Sequence, residues 1–341
     1  MINGKTLILR FSSLGDVAMT NPVVRCLEKK YPNNKFIYVT RPKFKPLFEE
    51  FKNVQIFELD LKKRHKGILG ILRLFLDLIR LRPSRVADLH SVLRTNILSF
   101  LFRIFFIKVS VIDKKRKDRK ALTRKRNKIF KPLTPVHFLY QEVFNKLGFT
   151  IDLTKDHIFP PSKTFNLKTY DLQIDSGKLV GIAPFAKHAG KMYPLDLMQK
   201  IVSYIQDKHI VFLFGFGKFE MDTINRWSKV FKNVNSCDFL NGFENEISLI
   251  SNLDLMISMD SANGHIASIY NVPVITIWGL THPYTGFTTF NSDSENQFCV
   301  DREKFPLVPN SIYGNKMIKG YENSMRTISF QDVLARVNKI I

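Results

Sequence analysis

The sequence predicts an α/β protein of two doubly wound domains, each a parallel sheet wrapped by crossover helices. Three observations carry this. Strand-length apolar runs alternate with helical patterns in both halves, the strand runs are apolar throughout, and 341 residues suffice for two cores of ordinary size. In the first half the strands are read at 6–11, 36–40, 54–59, 86–88 and 109–112, with helices at 17–30, 67–82, 91–106 and 136–147. In the second half strands fall at 179–184, 210–214, 255–259 and 274–278, with helices near 195–207, 219–231, 244–251 and 262–270. The polar stretch near 160–178 reads as the linker.

Composition narrows the class. The chain is 45% hydrophobic and 24% charged, as a globular protein is. It opens without a secretory pattern, and no apolar segment approaches the roughly 20 residues that span a bilayer. Cys26, Cys237 and Cys299 are far apart and fit neither a disulfide framework nor a zinc spacing, so a reducing cytoplasm is expected. The formal charge is +22, and residues 60–131 hold 22 basic against 5 acidic residues, a local +17. Such a field favours polyanions: nucleic acid, anionic lipid or phosphorylated substrates. The helices at 67–82 and 91–106 are read as core helices, and the basic run 114–131 as the part that attracts anionic lipid or acceptor phosphates.

Ligands of doubly wound sheets bind where strand ends enter helices, which makes six polar loops worth reading. In the first, Ser12, Ser13 and Gly15 suit an approaching anion, and Asp16 is placed to take a proton from an alcohol. Ser13-x-x-Asp16 equally fits a capping box. Lys191 closes "APFAKHAGKMYP" either as a phosphate-binding point charge or as a solvated loop lysine. In "FGFGKFE", Glu220 is read as an acceptor for ribose hydroxyls or as a first-turn helix acid. In "MDSANGHIA", Asp260 ends a strand, and Ser261, Ala262, Asn263 and Gly264 form a turn suited to a diphosphate with His265 beside it; Asp260 also reads as a helix N-cap. No Asp-x-Asp and no HExxH occurs, so a protein-held metal is not expected.

In order and spacing, "RFSSLGDVAMTNPVVRCLEKKYP", "DLHSVLRTN", the P-x-A-x-x-x-x-K of 184–191, "FGFGKFE", "MDSANGHIA" and "VPVITIWGLTHP" resemble the family 9 glycosyltransferases, bacterial heptosyltransferases of lipopolysaccharide core assembly. The resemblance covers most of the chain and is weakest over 98–135 and the last 50 residues. It implies a GT-B architecture of two Rossmann-like domains facing across a cleft. The first, 1–165, would bind the acceptor; the second, 166–341, would bind the nucleotide sugar, with a last helix at about 329–341 crossing back. It implies inverting, metal-independent transfer from a nucleotide diphosphate sugar, ADP-heptose in the best-known members. That nucleotide sugar would be a substrate, so no cofactor is expected. Asp16 matches the base, Lys191 a donor-phosphate lysine, Asp260 to His265 the donor-binding turn, and Glu220 a nucleoside-side acid. Ser12, Ser13, Gly15, His90 and Arg94 are assigned to the acceptor or phosphate side. Two departures stand out: Ala262 and Phe185 occupy positions where the family carries glycine, which alters how closely backbone can approach the donor.

The expectation is a cytoplasmic glycosyltransferase, peripheral on the inner face of the bacterial inner membrane. Its partners would be a nucleotide sugar, an anionic lipid-linked saccharide and an anionic membrane surface met through 60–131, with no nucleic acid. Two alternatives remain at this point: a basic nucleic-acid binder, and a catalytically silent member that scaffolds envelope assembly.

Overall fold

The computed structural model describes residues 4–170 and 177–341, so part of the linker read at 160–178 lies outside the described residues. Two compact units emerge. Residues 1–115 and 136–158 form the first, residues 116–135 and 159–341 the second.

The first unit runs β1 (Lys5–Leu9), α1 (Leu14–Ala18), α2 (Asn21–Lys30), β2 (Lys35–Thr40), β3 (Val54–Glu58), α3 (Gly67–Ile79), β4 (Pro83–Asp88), α4 (Leu93–Ile104) and β5 (Lys108–Val111). The helix read at 17–30 is two helices. α2 opens with Pro22 in its first turn, a position where the missing N–H costs nothing, and so begins afresh after Thr20. All pairings are parallel, in the order β3-β2-β1-β4-β5. The order reverses between β1 and β4, so the loops leaving these two strands flank the crevice of the sheet. One face of the sheet is covered by Ile71, Leu74, Phe75 and Leu78 of α3 and Leu98 and Phe102 of α4.

Beyond β5 the chain forms α5 (Arg116–Thr123) within the second unit, then returns as α6 (Val136–Leu147) and α7 (Leu153–Asp156) of the first. This departs from the boundary read at 165/166, and the contacts explain why. The Lys128 ammonium donates to the carbonyls of Leu307 (2.6 Å) and Pro309 (2.7 Å), and the Leu133 amide donates to the Tyr284 carbonyl at 2.9 Å. Phe130 lies between His282, Tyr284 and the Arg302 guanidinium. Burial, helped by Arg302, brings the Lys128 ammonium down to about 8. The basic stretch 60–131 is thereby split between the two units.

The second unit continues β6 (Leu179–Ala183), α8 (Leu195–Gln206), β7 (Ile210–Leu213), α9 (Lys218–Val230), β8 (Val234–Ser236), α10 (Phe243–Ile250), β9 (Leu255–Met259), α11 (Ala262–Ile269), β10 (Val274–Trp278), β11 (Gln297–Cys299) and α12 (Phe330–Ile340). Its order, β11-β10-β9-β6-β7-β8, is again all parallel and reverses between β6 and β9. The edge strands β8 and β11 went unread because three residues carry no periodicity. Helix α12, expected to cross back, buries Val333, Leu334 and Val337 in the second unit's own core. Ser329 caps it by accepting from the Asp332 amide.

Candidate active site

In the first unit the crevice is built on a buried arginine. Arg10 follows the last residue of β1; one guanidinium nitrogen donates to the Leu89 carbonyl at 2.8 Å, fastening the β1 exit to the β4 exit. The other lies 2.7 Å from Asp16 Oδ2. The same oxygen accepts the Ser13 hydroxyl at 2.7 Å and the Ser13 amide at 3.2 Å. The second bond is the reciprocal half of a capping box, so the capping role read from the spacing is real. It occupies one carboxylate oxygen only. Among the described residues no hydrogen bond reaches Oδ1. Burial pushes the Asp16 carboxyl up, but the Arg10 charge and the Ser13 hydrogen bonds outweigh it and hold the group below its ordinary value.

His90 stands on the facing loop, its ring edge-on to Phe11 at 5.5 Å. Asp88, fully buried at the end of β4, accepts the amides of His90 and Ser91 at 2.8 Å each and thereby fixes the turn. Burial raises the Asp88 carboxyl. Burial, with Arg10 and Lys114 nearby, brings His90 down to about 3. Its imidazole is therefore neutral at physiological pH, and among the described residues its Nδ1 has no hydrogen-bond partner. An NMR titration should find the His90 ring signals flat from neutral pH to below 5. A group whose folded value is lowered is protonated first in the unfolded chain, so His90 withdraws stability as pH falls below about 6.5. A His90 ring that titrates near 6.5 in the folded protein would refute this environment. Ser12 and Gly15 are half-buried in the same turn, and Arg94 is half-buried in the first turn of α4. Among the described residues Arg94 makes no hydrogen bond or ion pair.

In the second unit the loops after β6 and β9 meet. Lys191 Nζ lies 2.8 Å from Asp260 Oδ2, both side chains nearly enclosed, and the Thr281 hydroxyl donates to that oxygen at 3.1 Å. Two glycines make room for the lysine. A Cβ on Gly314 (φ +67°) would stand 2.4 Å from Lys191 Cγ, and one on Gly279 would stand 2.2 Å from the Gly190 carbonyl oxygen. Ser261, not Asp260, stands at the N-cap of α11, in extended backbone and without a side-chain cap hydrogen bond, because Asp260 is turned to Lys191; the Ser261 hydroxyl lies 2.9 Å from that of Ser258. Ala262, Asn263 and Gly264 form the first turn, whose amides lack intrahelical acceptors. Asn263 donates to Glu246, whose carboxyl burial raises. His265 is buried behind this turn.

Two expectations are modified here. Glu220 turns one oxygen back on its own loop, accepting the Phe216 amide at 2.7 Å, which leaves the other for a ligand. Phe185 is buried in the core against Phe219 and the Gly215 backbone. Arg10, Asp88, Thr281, Glu246 and Gly314 were missed. Only Arg10, the single charge in an otherwise apolar run, left a signal. Among the described residues no group of three or more His, Cys, Asp or Glu side chains is gathered as metal ligands would be.

Comparison with known proteins gives the class. The lipooligosaccharide heptosyltransferase 2 of Campylobacter jejuni is 26% identical over 275 residues, 79% of each chain. The lipopolysaccharide core heptosyltransferase OpsX of Haemophilus influenzae is 22% identical over 98% of this chain and 96% of its own. Among solved structures, a family 9 glycosyl transferase from Veillonella parvula matches with TM-score 0.72 at 18% identity, covering 99% of this chain and 97% of its own. E. coli heptosyltransferase WaaC with ADP matches at TM-score 0.66 and 15% identity, covering 99% and 100%. The protein is a glycosyltransferase built on two Rossmann-like units. The chain belongs to glycosyltransferase family 9 (heptosyltransferase), whose model matches residues 97–313, more than half of it.

Proposed function

We propose that the protein moves a heptose from ADP-heptose, with inversion and without a bound metal, onto a lipid-borne phosphorylated saccharide of the lipopolysaccharide core. The inner face of the bacterial inner membrane is its site of work, with an anionic membrane surface as partner. The first unit activates the acceptor and the second holds the donor. The acceptor oxygen attacks the anomeric carbon as the bond to the diphosphate oxygen breaks, and the acceptor proton passes to Asp16. The negative charge growing on the diphosphate is offset by Lys191 and the amides that open α11. Arg94 offers its cation to acceptor phosphate, and the neutral His90 ring accepts a hydrogen bond from an acceptor hydroxyl. The carrying observation is the Asp16 carboxylate, with Oδ2 tethered by Arg10 and Ser13 and Oδ1 left open.

Incubation with ADP-, UDP-, GDP- and CMP-sugars and a truncated core acceptor tests the reading. Heptose transfer from ADP-heptose, undiminished by EDTA and giving the opposite anomer by NMR, is the expected result. A strict Mg²⁺ requirement, retention of configuration, or preference for another nucleotide would each overturn the corresponding part.

A further inference from the structure

Two helices of the first unit leave their outer faces apolar. Ile68, Leu69, Leu72 and Leu76 of α3 are exposed, as are Leu93, Phe100 and Ile104 of α4 and the following Phe105 and Phe106. Exposure reaches 79% at Ile68, 77% at Leu93 and 98% at Phe106. At helical spacing, 68, 72 and 76 make one stripe along α3, while 93, 97, 100 and 104 make one along α4. Both helices bury their other faces in one core cluster, and Phe75 of α3 packs on Phe102 and Phe105 at 5.1 and 5.3 Å. The two stripes therefore turn outward from the same side of the sheet. Reading both segments simply as core helices accounted for half of their apolar residues.

Charge identifies what covers this face. Residues 61–108 contain eleven Lys and Arg and two acids, Asp77 and Asp88. Both acids are engaged within the unit: Asp77 by Arg64 and His65, Asp88 by the amides of His90 and Ser91. Lys66, Arg73 and Arg103 stand exposed beside the stripes. An apolar stripe bordered by cations, with no free acid, matches the boundary between acyl chains and anionic headgroups. A neutral protein partner would cover the apolar part and leave the cations unmatched.

We propose that the outer faces of α3 and α4 seat the first unit in the interfacial layer of an anionic membrane, with Leu69 and Phe106 inserted below the headgroups. Both helices start at the carboxyl ends of their preceding strands, the end of the sheet that carries Asp16 and His90. Ile68, Leu69 and Leu93 thus bring the bilayer surface to the end where a lipid-borne acceptor is needed. This is the surface that makes the membrane contact in the proposed function, and its use with a lipid-borne acceptor rests on that reading. Among the described residues no helix is long and apolar enough to cross a membrane, so the contact is with one leaflet.

Flotation of the full chain with phosphatidylglycerol-containing vesicles and with neutral phosphatidylcholine vesicles tests this without donor or acceptor. Binding to anionic vesicles should weaken but persist at about 1 M salt, where the screening length is about 3 Å. L69S combined with F106S should lower the partition coefficient about tenfold or more, while transfer to a lipid-free acceptor stays at the wild-type rate. In F106W, fluorescence at position 106 should be quenched by brominated lipid; the native Trp227 and Trp278 are buried in the second unit and serve as background. Binding erased by salt and indifferent to both apolar substitutions would reduce the contact to charge alone and overturn the proposal. So would absence of quenching, or self-association lost in the double variant with no vesicle binding. Loss of transfer with docking intact would instead count against the proposed reaction.

Discussion

Asp16→Asn is expected to give a folded protein whose turnover is lower by about 10²–10⁴, the range for removing a positioned general base. The amide keeps the size of the carboxylate and can accept the Ser13 amide, so the start of α1 is retained. What changes is basicity and charge. Arg10, buried and held by the Leu89 carbonyl, then faces a neutral amide. The cost should be about 1–2 kcal/mol, less than the ~3–5 kcal/mol of a fully buried pair, because the Asp16 side chain is 21% exposed. Nucleotide affinity should stay near wild type, since the proposed donor turn belongs to the second unit. An Asp16→Asn enzyme with near-normal turnover would return Ser13 and Asp16 to helix capping alone.

The Arg10 pair adds a pH signature. Because the folded Asp16 carboxyl lies below its ordinary 3.8, it contributes stability that is present above that value and lost as pH falls through the folded value. The acid limb of the rate profile should therefore lie below the usual carboxylate range. Arg10→Met should move that limb upward, since burial is then opposed by the Ser13 hydrogen bonds without the Arg10 charge.

The two-sheet fold was legible because buried parallel strands are written as continuous apolar runs, placed to within a residue or two except for β4, which starts three residues before the run read at 86–88. What periodicity could not carry was local or long-range. Three-residue edges such as Val234–Ser236 have no pattern of their own, and pair because β7 is already there. The Arg116–Pro135 segment joins the second unit through Lys128 and Phe130, whose partners lie at 282–309, too far along the chain to read. The site shows the same division. Asp16 and Lys191 were legible as residue types at strand ends. Their pairings were not: Arg10 stood out only as the one charge in its strand run, and Lys191 and Asp260 sit 69 positions apart, joined because the sheet order reverses between β6 and β9.

That Lys191–Asp260 pair makes Lys191→Ala informative only when read with a second substitution. The lysine is expected to serve two ends. Toward a donor diphosphate it presents a cation in a closed setting, where a charged hydrogen bond contributes about 1.5–3 kcal/mol. Nucleotide affinity should therefore fall about 10- to 100-fold, and turnover by about 10²–10³ as leaving-group charge goes unmatched. Toward the protein it neutralises Asp260, which is 8% exposed and, among the described residues, otherwise hydrogen-bonded by Thr281 alone. Removing the partner of a buried carboxylate costs about 3 kcal/mol, so Lys191→Ala should also unfold at lower denaturant. Asp260→Asn in the same chain removes the stranded charge. The double variant should regain most of the stability yet still bind nucleotide weakly, because nothing has replaced the cation facing the diphosphate. Chemical denaturation and nucleotide titration on the four proteins of the cycle separate the two roles. If the double variant recovered affinity together with stability, Lys191 would be a structural partner of Asp260 and the donor phosphate would have to be held elsewhere.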